Sequence, residues 1–459
     1  MTTTDDPAEP VVPPEPVMPA EPVAPPEPAA ASITWHGAIA PLVISKCSGC
    51  HQEGGIAPFS LATYDEASTL APLLKSTIDL RMMPPWGAEE TEECQPRFGF
   101  KDDLRLSDEE IALFGQWVDD GAPEGDPATA APVPAAASLS LEAPDLSLAV
   151  PEVAIEGTAD EFLCFSVDPG LDTDAWLAAT QVVPGNPAIV HHVLTYVDPS
   201  GESAALAGDD GYYECFGNAG VSDAVLLGAW APGGVPFRTP DDVAMRLPAG
   251  SRIIINVHYH PTGAGNETDS GTRVDFAFSQ TEPLYEGQIL LIGNFAGPGA
   301  LGELLPGSSD PETGPEFVVP AGAVGHVETM RFTVPPIGVP EGIIWGVGTH
   351  MHYVGTDMLL TIERGGTSNE PAEECLLQTP HWDFNWQRGY LYDAPLSELP
   401  TAGPGDVLGF RCTYDNSLDN PFVRQALVEQ GLSEPQEVRL GEESLDEMCL
   451  GVFAVAYPR

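Results

Sequence analysis

The sequence predicts a multidomain fold: a small all-α unit followed by two tandem all-β sandwiches of jelly-roll type. Three observations carry this reading. Helix signals concentrate between Trp35 and Trp117. From about residue 146 the pattern changes to short alternating runs separated by Gly, Pro and Asp turns, with few convincing long helices. Proline- and alanine-rich stretches punctuate the chain on either side of the helical part.

Taken in order, residues 1–32 repeat Pro-Glu-Pro and Pro-Val themes, a composition that favours extended polyproline II and forms no core. They read as a stiff tether. Residues 33–121 are the helical unit, its last helix opening on the capping sequence Ser107 to Glu110 and running through Trp117. Residues 122–145 form a second Pro/Ala linker. The strand-rich remainder is too long for one sandwich, so it divides into 146–286 and 287–459, with the boundary near 284–290. Typical strands are Ile189 to Val197, Arg252 to His260 and Val274 to Phe278.

Composition narrows the function classes. With 17 basic and 69 acidic residues the net charge is −52, which argues against nucleic acid or an anionic membrane surface as partner. The favoured reading is a surface kept soluble by charge, the alternative an acidic dock for a cationic donor or substrate. No run approaches the length of a membrane span. The polar opening Met1 to Asp6 is no signal peptide, yet covalent haem and paired cysteines would both need an oxidising compartment. The expectation is an exported protein, periplasmic, outer-membrane-tethered or extracellular, whose export or lipid-anchor signal has been removed.

Two constellations carry chemistry. In the helical unit, Cys47-Ser-Gly-Cys50-His51 has the spacing for covalent haem c: two thiols add to the vinyl groups and the histidine becomes the proximal ligand. Gly54 to Phe59 and Arg81-Met82-Met83-Pro84-Pro85-Trp86 resemble the small c-type cytochrome domains with a Met-Pro-Pro-Trp distal loop. That resemblance implies Met83 as second axial ligand, with Met82 as a neighbour able to substitute and His36 as a rival.

In the strand-rich part, six of the ten histidines fall in three tight pairs, His191–His192, His258–His260 and His350–His352. The last pair, at i and i+2 on a strand, points to one side and can face one ion. Adjacent His191 and His192 face opposite ways unless a bulge or different ring nitrogens bring them together. Imidazole suits Zn, Cu, Fe or Ni, and adding the thioether of Met448 points to copper.

From about 160 onward the sequence resembles the type II copper monooxygenases, the family of peptidylglycine α-hydroxylating and dopamine β-monooxygenases. The resemblance rests on His191-His192-Val-Leu, Asn256-Val-His258-Tyr-His260-Pro, Thr349-His350-Met-His352, Cys412-Thr-Tyr-Asp and Asp446-Glu-Met448-Cys449, in family order. It implies two sandwiches, each with one copper across a solvent-filled cleft. His191, His192 and His258 would hold the electron-transfer copper, while His350, His352 and Met448 would form the catalytic site where O2 is activated. His260 is left as a structural or supporting residue. The resemblance also selects the disulfides Cys164–Cys215 and Cys412–Cys449. Cys94 and Cys375 then remain, either bridging the two parts of the chain or standing as free thiols.

Gly348, Leu450 and Val452 stand where the peptidylglycine enzyme has an arginine, an asparagine and a tyrosine. A peptide carboxylate therefore has no anchor. The run His381-Trp-Asp-Phe-Asn-Trp386 alternates like a half-buried strand, the reading preferred over an apolar pocket. Together these readings predict a monooxygenase with two copper ions and one haem c. It would hydroxylate a small-molecule substrate with O2, an external ascorbate-like or protein donor feeding electrons through the haem; the alternative is a non-oxygenating haem/copper electron-transfer or copper-binding protein on the same fold.

Overall fold

The computed structural model describes residues 33–52, 57–133, 140–157, 159–215, 218–231, 234–263, 265–294, 302–307, 310–365, 370–441 and 445–459. The tether 1–32 and part of the 122–145 linker lie outside them.

Three helices open the described chain: α1 (Ala40–Lys46), α2 (Tyr64–Asp79) and α3 (Asp108–Asp119). The starts of α2 and α3 are fixed by reciprocal capping boxes, Thr63 with Glu66 and Ser107 with Glu110, which satisfy backbone N–H groups left free in a first turn. The three helices and the π-helical turn Trp35–Ile39 that precedes them share a small core of Trp35, Ile39, Val43, Leu74, Phe114 and Trp117. Between α2 and α3, however, the chain leaves that core. Ala88 and Phe100 are buried in the core of the second sandwich instead, and Lys101 N–H donates to Leu391 O at 2.8 Å. The helices are a minority in a sheet-rich protein, and the segment between two of them serves the sheets. Among the described residues no helix is long and apolar enough to cross a membrane.

The principal strands of the first sandwich are β1 (Leu146–Ala149), β2 (Glu161–Val167), β3 (Ala175–Val183), β4 (Val190–Asp198), β5 (Tyr212–Glu214), β6 (Val225–Trp230), β7 (Val243–Leu247), β8 (Arg252–Tyr259) and β9 (Arg273–Phe278). Those of the second are β10 (Tyr285–Asn294), β11 (Val324–Thr333), β12 (Gly342–His350), β13 (Gly355–Glu363), β14 (Glu373–Thr379), β15 (Val407–Asp415) and β16 (Cys449–Pro458). One large sheet runs β1-β9-β3-β7-β10-β16-β12 and ends on the short strand Gly389–Leu391, so it serves both sandwiches. The join is the parallel contact of β10 with β7, Tyr285 beside Val243. A sheet ordered β5-β2-β8-β4-β6 closes the first sandwich, and a sheet containing β11-β15-β13-β14 closes the second.

Burial follows position. Strand β8 lies between β2 and β4, and everything from Ile253 to Tyr259 is buried, polar Asn256 and His258 included, so burial is continuous rather than alternating. Strand β15, with one face towards the core, alternates along its length. Cys412 on β15 and Cys449 at the start of β16 join the two layers of the second sandwich, Cα to Cα 5.9 Å. Cys164–Cys215 secures the edge of the first, and Cys94–Cys375 ties the segment after α2 to β14.

Candidate metal centre

Three histidines converge where β8 meets β4. His192 lies opposite His258, but the next residue, Tyr259, lies opposite Val190, so His191 is the extra residue of a bulge. A bulge turns a side chain that would face away back towards its neighbour. The Nδ1 atoms of His191 and His192 are 3.2 Å apart, those of His192 and His258 3.2 Å, and those of His191 and His258 3.4 Å. Metal–nitrogen bonds of about 2.0 Å at tetrahedral angles require nitrogens about 3.3 Å apart, so the triangle already has the size of a metal's face. Hydrogen bonding gives no account of it, since three ring nitrogens aimed at one point leave lone pairs opposed or protons crowded.

Electrostatics agree. Burial, then the neighbouring histidine charges, push His191 down to about 3 and hold His192 well below its ordinary value. For His258 burial wins over the opposing pull of Asp160. The rings are therefore neutral near pH 7, the state in which imidazole ligates.

Behind the trio stands Asp160, a residue with no signal in the sequence. Its Oδ2 lies 3.1 Å from His258 Nε2, and its Oδ1 is 2.6 Å from His260 Nδ1. Burial disfavours the charge on Asp160, but hydrogen bonds from both histidines outweigh it and hold the carboxyl well below its usual range. A carboxylate on the far nitrogen orients a ligand ring and raises its basicity. Phe162 stacks on the other face of His258 at 4.2 Å. Asp160→Asn is expected to weaken copper binding by the trio roughly 10–100-fold while leaving the fold intact, as measured by competition with a Cu(I) chelator.

His350, His352 and Met448 lie in the second sandwich. His350 ends β12 and pairs with Leu450 on β16, and its ring centroid is 5.1 Å from that of His352. His350 Nδ1 is engaged by Gln387 Oε1 at 2.7 Å and His352 Nδ1 by Asp446 O at 3.2 Å. Nε2 is thereby the outward nitrogen of both. Burial lowers the basicity of both rings. Met448 is buried, and its backbone is held by Glu447, whose Oε2 accepts from Met448 N–H at 2.9 Å and from His352 N–H at 2.8 Å. Oε1 of the same residue accepts from Val354 N–H at 3.1 Å. One buried carboxylate thus fastens the two segments that carry His352 and Met448.

The aromatic run expected as a strand over 381–386 is a loop. Trp382 Nε1–H donates to His352 O at 3.1 Å, and the Phe384 ring stacks on His191 at 4.7 Å while meeting His352 edge-on at 6.2 Å. Trp382 and Phe384 are each anchored to a segment that carries one of the expected histidines, not to a sheet. Phe384 thus touches a histidine of each set where the resemblance implied a cleft.

The haem expectation is corrected. The cysteines of this chain serve as bridges: six of the eight close Cys94–Cys375, Cys164–Cys215 and Cys412–Cys449. Cys47 and Cys50 are unbonded thiols, and burial, then Cys50, pushes Cys47 up to about 12, the state of a structural thiol. The His51 ring packs against Phe59 at 4.6 Å, with Nδ1 3.1 Å from Phe59 O. Trp86, three residues after Met83, packs on Tyr390 and Arg388 next to the second sandwich's edge strand. Cytochrome character and the haem relay fall with the haem. Of the expected cofactors, one three-histidine cluster suited to copper is what the geometry supports.

Fold and site define a sheet-rich, multidomain protein with a three-histidine cluster able to hold a metal ion, copper among the candidates. No family model matches the chain. It is 25% identical over 292 residues to DBH-like monooxygenase protein 2 of Mus musculus, covering 61% of this chain and 39% of that protein. It is 27% identical over 285 residues to DBH-like monooxygenase protein 1 of Homo sapiens, covering 60% and 40%. The chain thus spans about two fifths of the length of the curated relatives it matches. This is distant similarity, consistent with the copper-monooxygenase superfamily. A solved structure of the infectious bursal disease virus VP2 subviral particle aligns at 11% identity over 70% of this chain and 74% of that one; its TM-score of 0.19 carries no argument.

Proposed function

We propose that this chain is a copper-dependent oxidoreductase that inserts oxygen from O2 into a C–H bond of a small uncharged substrate, drawing electrons from an external reductant. The observation that carries the reading is the triangle of Nδ1 atoms from His191, His192 and His258, already spaced for one ion. Bound copper would supply one-electron exchange with the reductant and with O2. The distant similarity to two DBH-like monooxygenase proteins supports the oxygenase class. In this reading the trio is the electron-accepting set, and His350, His352 and Met448 form the substrate-side set. The domain division at 145/146 and 286/287 and an exported location accompany it, the latter supported by three disulfides.

The chain's own residues suggest the substrate's character. Gly348 pairs with Val452, and His350 with Leu450, so the three positions form one uncharged wall beside His350. A side chain at 348 would begin 3.3 Å from Val452 Cβ and 3.5 Å from Arg388 O, so Val452 would have to give by a few tenths of an ångström. The wall favours an apolar substrate over a carboxylate-bearing peptide. Phe384 lies against both His191 and His352, and Glu447 ties the segment of His352 to that of Met448.

The test is copper analysis of the full chain followed by O2 uptake with ascorbate across a panel of small apolar substrates. One equivalent lost on His192→Ala, with substrate-dependent O2 consumption abolished by Met448→Ala, supports the reading. Electron uptake with no O2 consumption on any substrate would overturn it in favour of a copper-binding electron carrier.

A further inference from the structure

The geometry points to Trp86 as a positioning residue for His350, acting through Arg388 and Gln387, with the segment that carries it serving as a strap on the second sandwich. The inference rests on reading His350 as a ligand through Nε2.

Trp86 lies outside both sandwiches in sequence, yet its ring sits 4.7 Å from the Arg388 guanidinium and 5.2 Å, edge-on, from Tyr390. Gly87 N–H donates to Tyr390 Oη at 3.0 Å. The Trp86 indole N–H is buried and finds no acceptor among the described residues, so ring faces alone make this seat. An aromatic face on a guanidinium is a directional attraction, stronger when water is excluded.

Arg388 and Tyr390 flank Gly389, which pairs with Gly348 on β12, two residues before His350. Arg388 also follows Gln387 directly. Gln387 Oε1 accepts from His350 Nδ1–H at 2.7 Å, and its Nε2–H donates to Phe384 O at 3.1 Å. Gln387 therefore fixes which nitrogen of His350 carries the proton, and it braces the turn that sets Phe384 against His191 and His352. If Arg388 loses its aromatic seat, the turn loosens, Gln387 leaves His350, and either ring nitrogen can be protonated.

The strap is anchored independently of Trp86. Cys94 is bonded to Cys375, and Thr91 Oγ1–H donates to Gln378 Oε1 at 2.7 Å. Arg97 pairs with Glu370 at 3.0 Å and Glu374 at 2.9 Å, both of which also hold the buried Arg364. Removing the Trp86 ring thus removes its contacts with Arg388, Tyr390 and, at 6.0 Å, Arg105 without releasing the strap.

The experiment uses the metal-free full chain labelled with 15N-histidine, reading the His350 tautomer at fixed pH together with amide exchange over 382–388. In the wild type His350 is expected as the Nδ1–H tautomer. In Trp86→Ala the tautomers mix and exchange of the loop amides rises roughly tenfold, whereas the trio still binds one copper. Trp86→Phe restores both readouts, because no hydrogen bond of the indole is lost, and Gln387→Ala reproduces the tautomer mixing with the strap in place. A pure Nδ1–H tautomer and unchanged loop exchange in Trp86→Ala would overturn the inference. Absence of that tautomer in the wild type would overturn instead the reading of His350 as an Nε2 ligand.

Discussion

His258→Ala is expected to abolish copper binding by the trio, a loss larger than the roughly 10–100-fold cost of removing an outer partner such as Asp160. His258 is the most buried of the three rings, held between Phe162 on one face and the Nδ1 atoms of His191 and His192. With two nitrogens left, the remaining imidazoles cannot surround an ion, and the carboxylate of Asp160 loses one of its two histidine partners. Competition with a Cu(I) chelator measures the affinity, and thermal unfolding with and without copper supplies a second readout. Copper bound only to the folded state raises the wild-type midpoint by mass action, and the variant should show no such rise. His381, exposed and outside both sets, is the control: His381→Ala leaves both measurements unchanged. Wild-type copper affinity in His258→Ala would mean that the nitrogen triangle is not the binding site.

The strands were legible because their information is local. Period-two alternation and turn residues mark them one at a time, and three histidine pairs on such strands announce a metal site. Strand geometry left two ways to bring His191 and His192 together, a bulge or different ring nitrogens, and the ladder supplies a bulge opposite His258 and Tyr259. What stayed hidden arises between distant segments. Asp160 reaches His258 and His260 across about a hundred positions of sequence, and Gln387 reaches His350 from a loop. Local pattern also misled twice. The Cys47–His51 spacing satisfied a haem rule that the surrounding packing does not. The 381–386 alternation imitated a strand although Trp382 and Phe384 are pinned one by one to His352 and His191. Glu447 was the one hidden residue with an available cue, an acid directly before a methionine in a stretch bound for the core.

At acidic pH, where the group is neutral, Glu447→Ala is expected to destabilise the metal-free protein by about 3–5 kcal/mol and to disorder the second ligand set. The carboxyl group is fully buried and accepts from the backbone N–H groups of His352, Val354 and Met448, joining the turn after β12 to the segment before β16. Alanine leaves those donors buried without an acceptor, each at a cost of about 1–3 kcal/mol if water does not enter. The same residue sets a pH dependence. Burial, opposed by those N–H groups, raises its pKa from 4.5 to about 8. Below about 4.5 the group is neutral folded and unfolded, so its full contribution is present. Between 4.5 and about 8 unfolding releases a proton, so stability falls as pH rises, and the loss is complete once the folded group has ionised. Urea unfolding of metal-free wild type and Glu447→Ala across that window should therefore show a stability difference that shrinks with rising pH. A gap that widens with pH would mean that the folded protein holds Glu447 as a carboxylate throughout, with the backbone donors outweighing burial.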